Sequence, residues 1–206
     1  MPEQANREMC YRCHKARVTC VCELIQAVAN KTGILILQHA KERFHSIGTV
    51  RFARLGLKNV EVQVRWSNDL MRLNKPLNPP PNTGLLYPSP TALDLADPEN
   101  RPEHLIILDG TWRQARNLYH KTPGLKMLPH YALHPAQPSR YTIRREPAFH
   151  CLSTIESIVA ALEILEPETQ GLSTLLDAFD DMIRKQVIYM RHRGGNSRYD
   201  KVGGES

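Results

Sequence analysis

The chain has 206 residues, 41% of them hydrophobic and 6% aromatic, with a formal net charge of +6. That length suits one substantial domain plus a small appendage. No apolar run reaches the ~20 residues a membrane helix needs, and the first eight residues lack the apolar core of a signal peptide, so a cytoplasmic protein with no membrane partner is expected. Arginines cluster at Arg113/Arg116, Arg140/Arg144/Arg145 and Arg191/Arg193/Arg198. Such patches suit phosphate contacts and make nucleic acid the leading partner on charge; a crowded solvated surface accounts for the charge equally well.

Four of the five cysteines, Cys10, Cys13, Cys20 and Cys22, fall close together near the N-terminus. Without an export signal a disulfide framework is not expected. Thiolates at this spacing match a tetrahedral zinc site presented by two tight turns, although the one-residue spacer of the second pair departs from a standard zinc ribbon. His14 is an alternative ligand with little freedom to reach the same ion. A redox pair and a set of unconnected thiols are the competing readings. The zinc reading predicts a knuckle over residues 1–30, too small for a core of its own and ordered by its metal; the main domain follows over 31–193, then a polar, disordered tail over 194–206.

Residues 24–29 read as a short helix or a lead-in. Residues 33–38 are apolar almost throughout and predict a strand buried on both faces. His39 follows it, more readily a packing or hydrogen-bonding residue than a catalytic base. A helix through Leu55, closed by Gly56, is predicted after residues 46–51, whose glycine and hydroxyls also suit an anion; no Walker or dinucleotide fingerprint is present. Residues 60–65 alternate as a half-buried strand, residues 78–84 form a loop, and residues 85–87 form a short strand stopped by Pro88. A helix over 92–96 is expected next.

The central stretch is His104 to Arg116. Leu105 to Leu108 suit a buried strand, Asp109-Gly110 break it, and Thr111 caps a helix begun by Trp112. An acid, a glycine and a hydroxyl thus stand where a strand ends and a helix starts, the place where open α/β sheets bind ligands, and Gly110 lets a ligand or another backbone approach closely. An ordinary strand–turn–helix joint explains the same residues. Short strands are expected at 126–128 and 131–133, and another segment at 139–145. Ser153 and Glu156 fit a capping box opening a helix that buries Ile155, Ile158, Val159, Leu162 and Leu165, and residues 172–190 form a second amphipathic helix. Strands alternating with helices predict an α/β protein with a mostly parallel sheet.

Taken together the chain resembles the DTW-domain family. The motif D-x-T-W is Asp109-Gly110-Thr111-Trp112, S-x-Y-x-x-R is Ser139, Tyr141 and Arg144, T-x-E is Thr154 and Glu156, and the Leu-Leu-Tyr-Pro strand and the cysteine knuckle also match. These span the chain from Cys10 to the last helix, in order. Thr142 stands where many members have arginine, and Ser157 where alanine is common. The resemblance implies a SPOUT-like fold, mostly parallel and flanked by helices, with a trefoil knot, which is rare among folds. It implies transfer of the 3-amino-3-carboxypropyl group of S-adenosylmethionine to N3 of a uridine in tRNA, releasing methylthioadenosine.

The cofactor pocket so implied involves Leu86, Tyr87, Pro88, Leu108, Asp109, Gly110, Thr111, Trp112 and Thr154. The RNA contacts so implied come from Arg51, Arg113, Arg116, Arg140, Tyr141, Arg144 and Arg145. Asp109 serves either as acceptor of the N3 proton or as a clamp on the donor's ammonium group. Trp112 walls the pocket, stacks on a base, or simply packs in the core. The rival readings are a SPOUT-type RNA methyltransferase and a non-enzymatic zinc-knuckle RNA-binding protein.

Overall fold

The structure is a computed structural model that describes residues 8–45, 48–65, 76–134 and 152–192. Six strands form one sheet: β1 (Gly33–His39), β2 (Val60–Arg65), β3 (Thr83–Leu86), β4 (Leu93–Asp94), β5 (His104–Asp109) and β6 (His130–Ala132). Their order is β2-β1-β5-β3-β6-β4, and every pairing is parallel. The helices are α1 (Val50–Gly56), α2 (Trp112–Lys121), α3 (Thr154–Leu165) and α4 (Leu172–His192).

Parallel strands must be joined by crossovers, so both sheet faces become covered, and the period of two divides each strand between two cores. Ile34 and Ile36 of β1 and Leu105 and Ile107 of β5 join one cluster with Phe52 of α1, Ile155, Ile158 and Leu162 of α3, and Leu175 and Phe179 of α4. Phe52 and Phe179 meet edge to face at 5.6 Å, a favoured aromatic geometry. The alternate residues Leu37 and Ile106 face the opposite side with Leu85 and Leu125, against which Leu35, Leu108 and Tyr119 of α2 pack. Val21, Ile25 and Val28 belong to the first cluster, so the N-terminal segment shares the sheet's core.

This division of helices fixes where the site lies. After β1 the chain passes through α1, on one face, to β2. After β5 it passes through α2, on the other face, to β6. Two adjacent central strands therefore send their continuations to opposite faces and in opposite directions, and the crevice at their carboxyl ends is a topological switch point.

Two local expectations need correction. Residues 92–96 form no helix: Leu93–Asp94 adds a two-residue strand beside β6, and the Leu95 N–H bonds to the Ala132 carbonyl. A five-residue segment cannot offset the cost of helix nucleation when a sheet edge offers partners. Leu125–Met127 is a 3-10 turn rather than a strand, entered through Gly124 at φ 91°. Residues 24–29, expected as a short helix or a lead-in, are the lead-in, tied by a parallel bridge between Val28 and Leu57. The expected segment at 139–145 and the tail at 194–206 lie outside the described residues. Among the described residues no helix is long and apolar enough to cross a membrane.

Candidate functional site

Asp109 ends β5 and is 8% exposed. Its position follows from register and parity. Gln38 of β1 pairs with Asp109, and both continue the alternate rows that face α3. The Gln38 Nε2 donates to Asp109 Oδ2 at 2.9 Å, and the Thr154 hydroxyl, from the first residue of α3, donates to Oδ1 at 2.6 Å. One strand, its neighbour and one helix N-terminus thus hold both carboxylate oxygens. The positive end of the α3 dipole favours the anion there.

The α3 end is itself held by the expected capping box: the Ser153 N–H donates to Glu156 Oε2 at 2.7 Å and the Glu156 N–H to Ser153 Oγ at 3.5 Å. Removing this cap typically costs about 1 kcal/mol. Ser153→Ala is expected to lower the thermal midpoint by about 2–4 °C, measured by calorimetry, and by no more if the cap acts locally.

On the opposite side of the crevice, His39 faces α2. It is buried, its Nδ1 accepts from the Lys41 N–H at 3.3 Å, and burial pushes its pKa below the ordinary value. A neutral ring with one nitrogen used as a turn cap is placed as a structural residue. Gly110 owes its identity to an intramolecular neighbour. A Cβ there would fall 2.9 Å from Gln114 Cβ and 3.4 Å from His39 Cβ. The close approach it permits is that of Gln114, which completes a second capping box with Thr111: the Thr111 N–H donates to Gln114 Oε1 at 2.6 Å and the Gln114 N–H to Thr111 Oγ1 at 3.3 Å.

Trp112 is 48% exposed, which excludes core packing for the indole. Along α2, Arg113, Arg116 and His120 are exposed beside it, and the helix carries no acidic residue.

The third strand end carries Leu86, Tyr87 and Pro88. Leu86 packs against the larger cluster. The Tyr87 ring stacks on Tyr119 of α2, centroids 4.4 Å apart and planes within 12°, and Tyr119 Oη meets His130 Nε2 at 3.1 Å. Of the pocket residues implied by the resemblance, Asp109 and Thr154 are in direct contact, Leu108, Gly110, Thr111 and Trp112 are continuous with them in the chain, and the 86–88 segment stands one strand further along.

Of the RNA-contact residues implied by the resemblance, Arg113 and Arg116 are exposed, whereas Arg51 is engaged within the protein. Its guanidinium donates to the carbonyls of Cys13 (3.1 Å), His45 (2.9 Å) and Gly48 (3.0 Å). The segment before α1 has no side-chain cap on its helix, and Arg51 supplies its carbonyls with partners and ties it to the cysteine knuckle. Arg140, Tyr141, Arg144, Arg145 and the motif's Ser139 lie outside the described residues.

The knuckle is a tight hairpin, with an antiparallel bridge between Met9 and Ala16 and His14 in the left-handed region at φ 56°. Its four sulfurs lie within 4.8 Å of one another; His14 is not part of the group. Cys10 and Cys22 Sγ are 3.8 Å apart and Cys13 and Cys20 Sγ 3.7 Å. A tetrahedral ion with sulfurs at about 2.3 Å would set them about 3.8 Å apart. The donated backbone N–H of Cys13 draws the Cys10 pKa down to about 6, while burial raises Cys13 and Cys22.

Two cations stand beside the sulfurs. Lys15 is buried, and burial together with Arg51 lowers its ammonium to about 7; Arg51 itself feels Cys13 and Cys22. Four thiolates around a divalent ion carry a net charge of −2, and the two cations offset it. Lys15 Nζ also contacts Met182 Sδ at 3.5 Å and Lys185 Nζ donates to the Cys20 carbonyl at 3.2 Å, so the knuckle is docked on α4.

Sequence reasoning missed Gln38, Gln114 and Lys15. Gln38 carried a signal, as the polar residue ending an apolar strand, but its contact with Asp109 depends on which strands are neighbours. Gln114 was visible three residues after Thr111 as a capping-box partner. Lys15 looked like any surface lysine.

Fold and site define an α/β protein with an oriented carboxylate at the switch point of a parallel sheet and a four-cysteine cluster bracing its N-terminal segment. The chain belongs to the DTW-domain family, which it matches over residues 7–187. It is 32% identical over 196 residues to the Drosophila melanogaster protein named tRNA-uridine aminocarboxypropyltransferase 2, covering 88% of this chain and 76% of that one. The Macaca fascicularis protein of the same name is 29% identical over 180 residues, 82% of this chain and 60% of its own. Arabidopsis thaliana tRNA-uridine aminocarboxypropyltransferase A is 23% identical over 220 residues, 90% and 83% respectively. No solved structure matches significantly.

Proposed function

We propose that this protein is a tRNA-uridine aminocarboxypropyltransferase that uses S-adenosylmethionine as group donor. The observation that carries the reading is the site itself: the family's motif acid, Asp109, is held by Gln38 and Thr154 at the sheet's switch point. The reaction forms a bond from uridine N3 to the terminal carbon of the aminocarboxypropyl group and breaks that carbon's bond to sulfur, so methylthioadenosine leaves and the N3 proton is lost. A sulfonium offers three electrophilic carbons, and selection among them is a matter of orientation.

Asp109 suits that task. Gln38 and Thr154 hold its two oxygens, so its position is set, and a carboxylate held there is suited to attract a cation. We assign it to the ammonium of the aminocarboxypropyl group, with Leu108, Gly110, Thr111, Trp112 and Thr154 around it and Leu86, Tyr87 and Pro88 one strand away. Arg113 and Arg116 supply phosphate contacts on α2, and the resemblance adds Tyr141 and Arg144 of the family motif, with Arg140 and Arg145 next to them in sequence, as RNA contacts. The SPOUT-like knotted arrangement belongs to this reading; the parallel sheet with its site at the carboxyl ends supports it.

The cysteine cluster, by its sulfur spacing and adjacent cations, fits one zinc ion held by Cys10, Cys13, Cys20 and Cys22. Such an ion gives the segment its order; it takes no part in the transfer. The test is the donor's product after incubation with tRNA. Methylthioadenosine is expected. S-adenosylhomocysteine would make the protein a methyltransferase, and unchanged donor with tRNA bound would make it a binding module.

A further inference from the structure

We propose that the turn following β1 forms a base-stacking element for an unpaired nucleotide beside the target uridine, with Phe44 as its platform. This rests on the tRNA reading above. The Phe44 ring is 83% exposed, so most of its apolar area stands in water, and covering it is favourable. Its location is not incidental. The turn leaves β1 at the switch point, and the loop carrying Trp112 leaves the adjacent β5 there too, with His39 and Gly110 in contact range at their bases.

The composition of the turn is sorted by sign. Lys41 and Arg43 are exposed, while the acid between them, Glu42, is buried. Arg43 lies over the Phe44 ring, its guanidinium carbon 5.1 Å from the centroid. With Arg113 and Arg116 on the neighbouring acid-free helix, the surface combines two exposed aromatics with four cations. Single-stranded nucleic acid is bound by that pairing: cations track the phosphates and an aromatic face takes a base. A paired duplex offers no free base face, so an unpaired loop nucleotide is the occupant that fits.

The turn is also pre-formed. The His45 N–H bonds to the Glu42 carbonyl and the Gly48 N–H to the His45 carbonyl, and Arg51 holds the His45 and Gly48 carbonyls from below. A platform already in place loses little freedom on binding.

The experiment uses the full chain, unfractionated tRNA, and a uridine-centred oligoribonucleotide carrying 2-aminopurine on either side. Phe44→Ala, a surface change, is expected to raise the Kd for tRNA about tenfold or more and to abolish the 2-aminopurine quenching seen with the unsubstituted protein. It should leave S-adenosylmethionine affinity and the salt slope unchanged. Phe44→Tyr should restore both binding and quenching. The double variant Lys41→Ala/Arg43→Ala should instead flatten the salt slope, by about one unit per lost phosphate contact.

Phe44→Ala with unaltered binding and quenching overturns the inference, while methylthioadenosine release from tRNA by the unsubstituted protein would leave the enzymatic reading standing. Binding and quenching without methylthioadenosine would keep the inference and remove the enzyme. Preferential capture of the protein by anionic phospholipid vesicles, lost in Phe44→Ala, would overturn it in favour of a membrane.

Discussion

Asp109→Asn is expected to weaken S-adenosylmethionine binding by roughly 2- to 30-fold while leaving the fold intact. The substitution keeps the side chain's shape, and its surroundings can adapt: the Gln38 carboxamide can turn to present its oxygen, and the Thr154 hydroxyl can accept as well as donate. What is lost is the charge. A hydrogen bond to an ionised partner contributes about 1.5–3 kcal/mol, against roughly 1 for a neutral one, and the difference should appear in the donor's affinity because the ammonium is bound before transfer. Isothermal titration gives the affinity, and single-turnover transfer at saturating donor gives the rate. Unchanged affinity with a rate reduced ~10²–10⁴-fold would instead make Asp109 the acceptor of the N3 proton. An unchanged rate and affinity would return it to the role of an ordinary turn residue.

The second large effect concerns the cysteine cluster. Purified protein is expected to contain one zinc per chain, and Cys13→Ser or chelation should lower the thermal midpoint by about 10 °C or more. Four sulfurs at ion-binding spacing lie beside the buried Lys15 and the half-buried Arg51. Without the ion these cations lose the charge that offsets their burial, and an unpaired buried charge is strongly destabilising. The disturbance has defined routes: through Lys15 and Lys185 to α4, and through Arg51 to the turn before α1. Hydrogen exchange should rise first over residues 8–22 and 43–48, with the central strands β1 and β5 protected longest. Metal-free protein with the same midpoint and protection would remove zinc from the account.

Much of this arrangement could be read from residue pattern alone. The buried strands β1 and β5 announce themselves as apolar runs, and the two capped helices by Thr111 and by Ser153 with Glu156. Those signals are local, and local hydrogen bonds enforce them. Where the expectation failed, a non-local partner decided: Leu93–Asp94 became strand because β6 offered an edge, and Arg51 turned from the surface to three carbonyls on two separate segments. The same limit applies within the site. Asp109 stood out because it follows four apolar residues, but its partners Gln38 and Thr154 are 71 and 45 positions away, and only the strand order and the docking of α3 bring them together. The cysteine cluster was legible because its ligands are close in the chain; its supporting Lys15 was not, because burial of a lysine depends on α4. The activity was legible only through the ordered set of family motifs, since an acid after a strand is common to many enzymes.

The central claim is that this site directs the aminocarboxypropyl carbon, rather than the methyl carbon, to a uridine in tRNA. The most direct measurement is transfer from S-adenosylmethionine labelled with one isotope in the carboxyl group and another in the methyl group, followed by digestion of the tRNA to nucleosides. The account predicts that the carboxyl label enters a modified uridine substituted at N3, while the methyl label remains with released methylthioadenosine. Methyl label in the RNA, with the carboxyl label retained on S-adenosylhomocysteine, would contradict it.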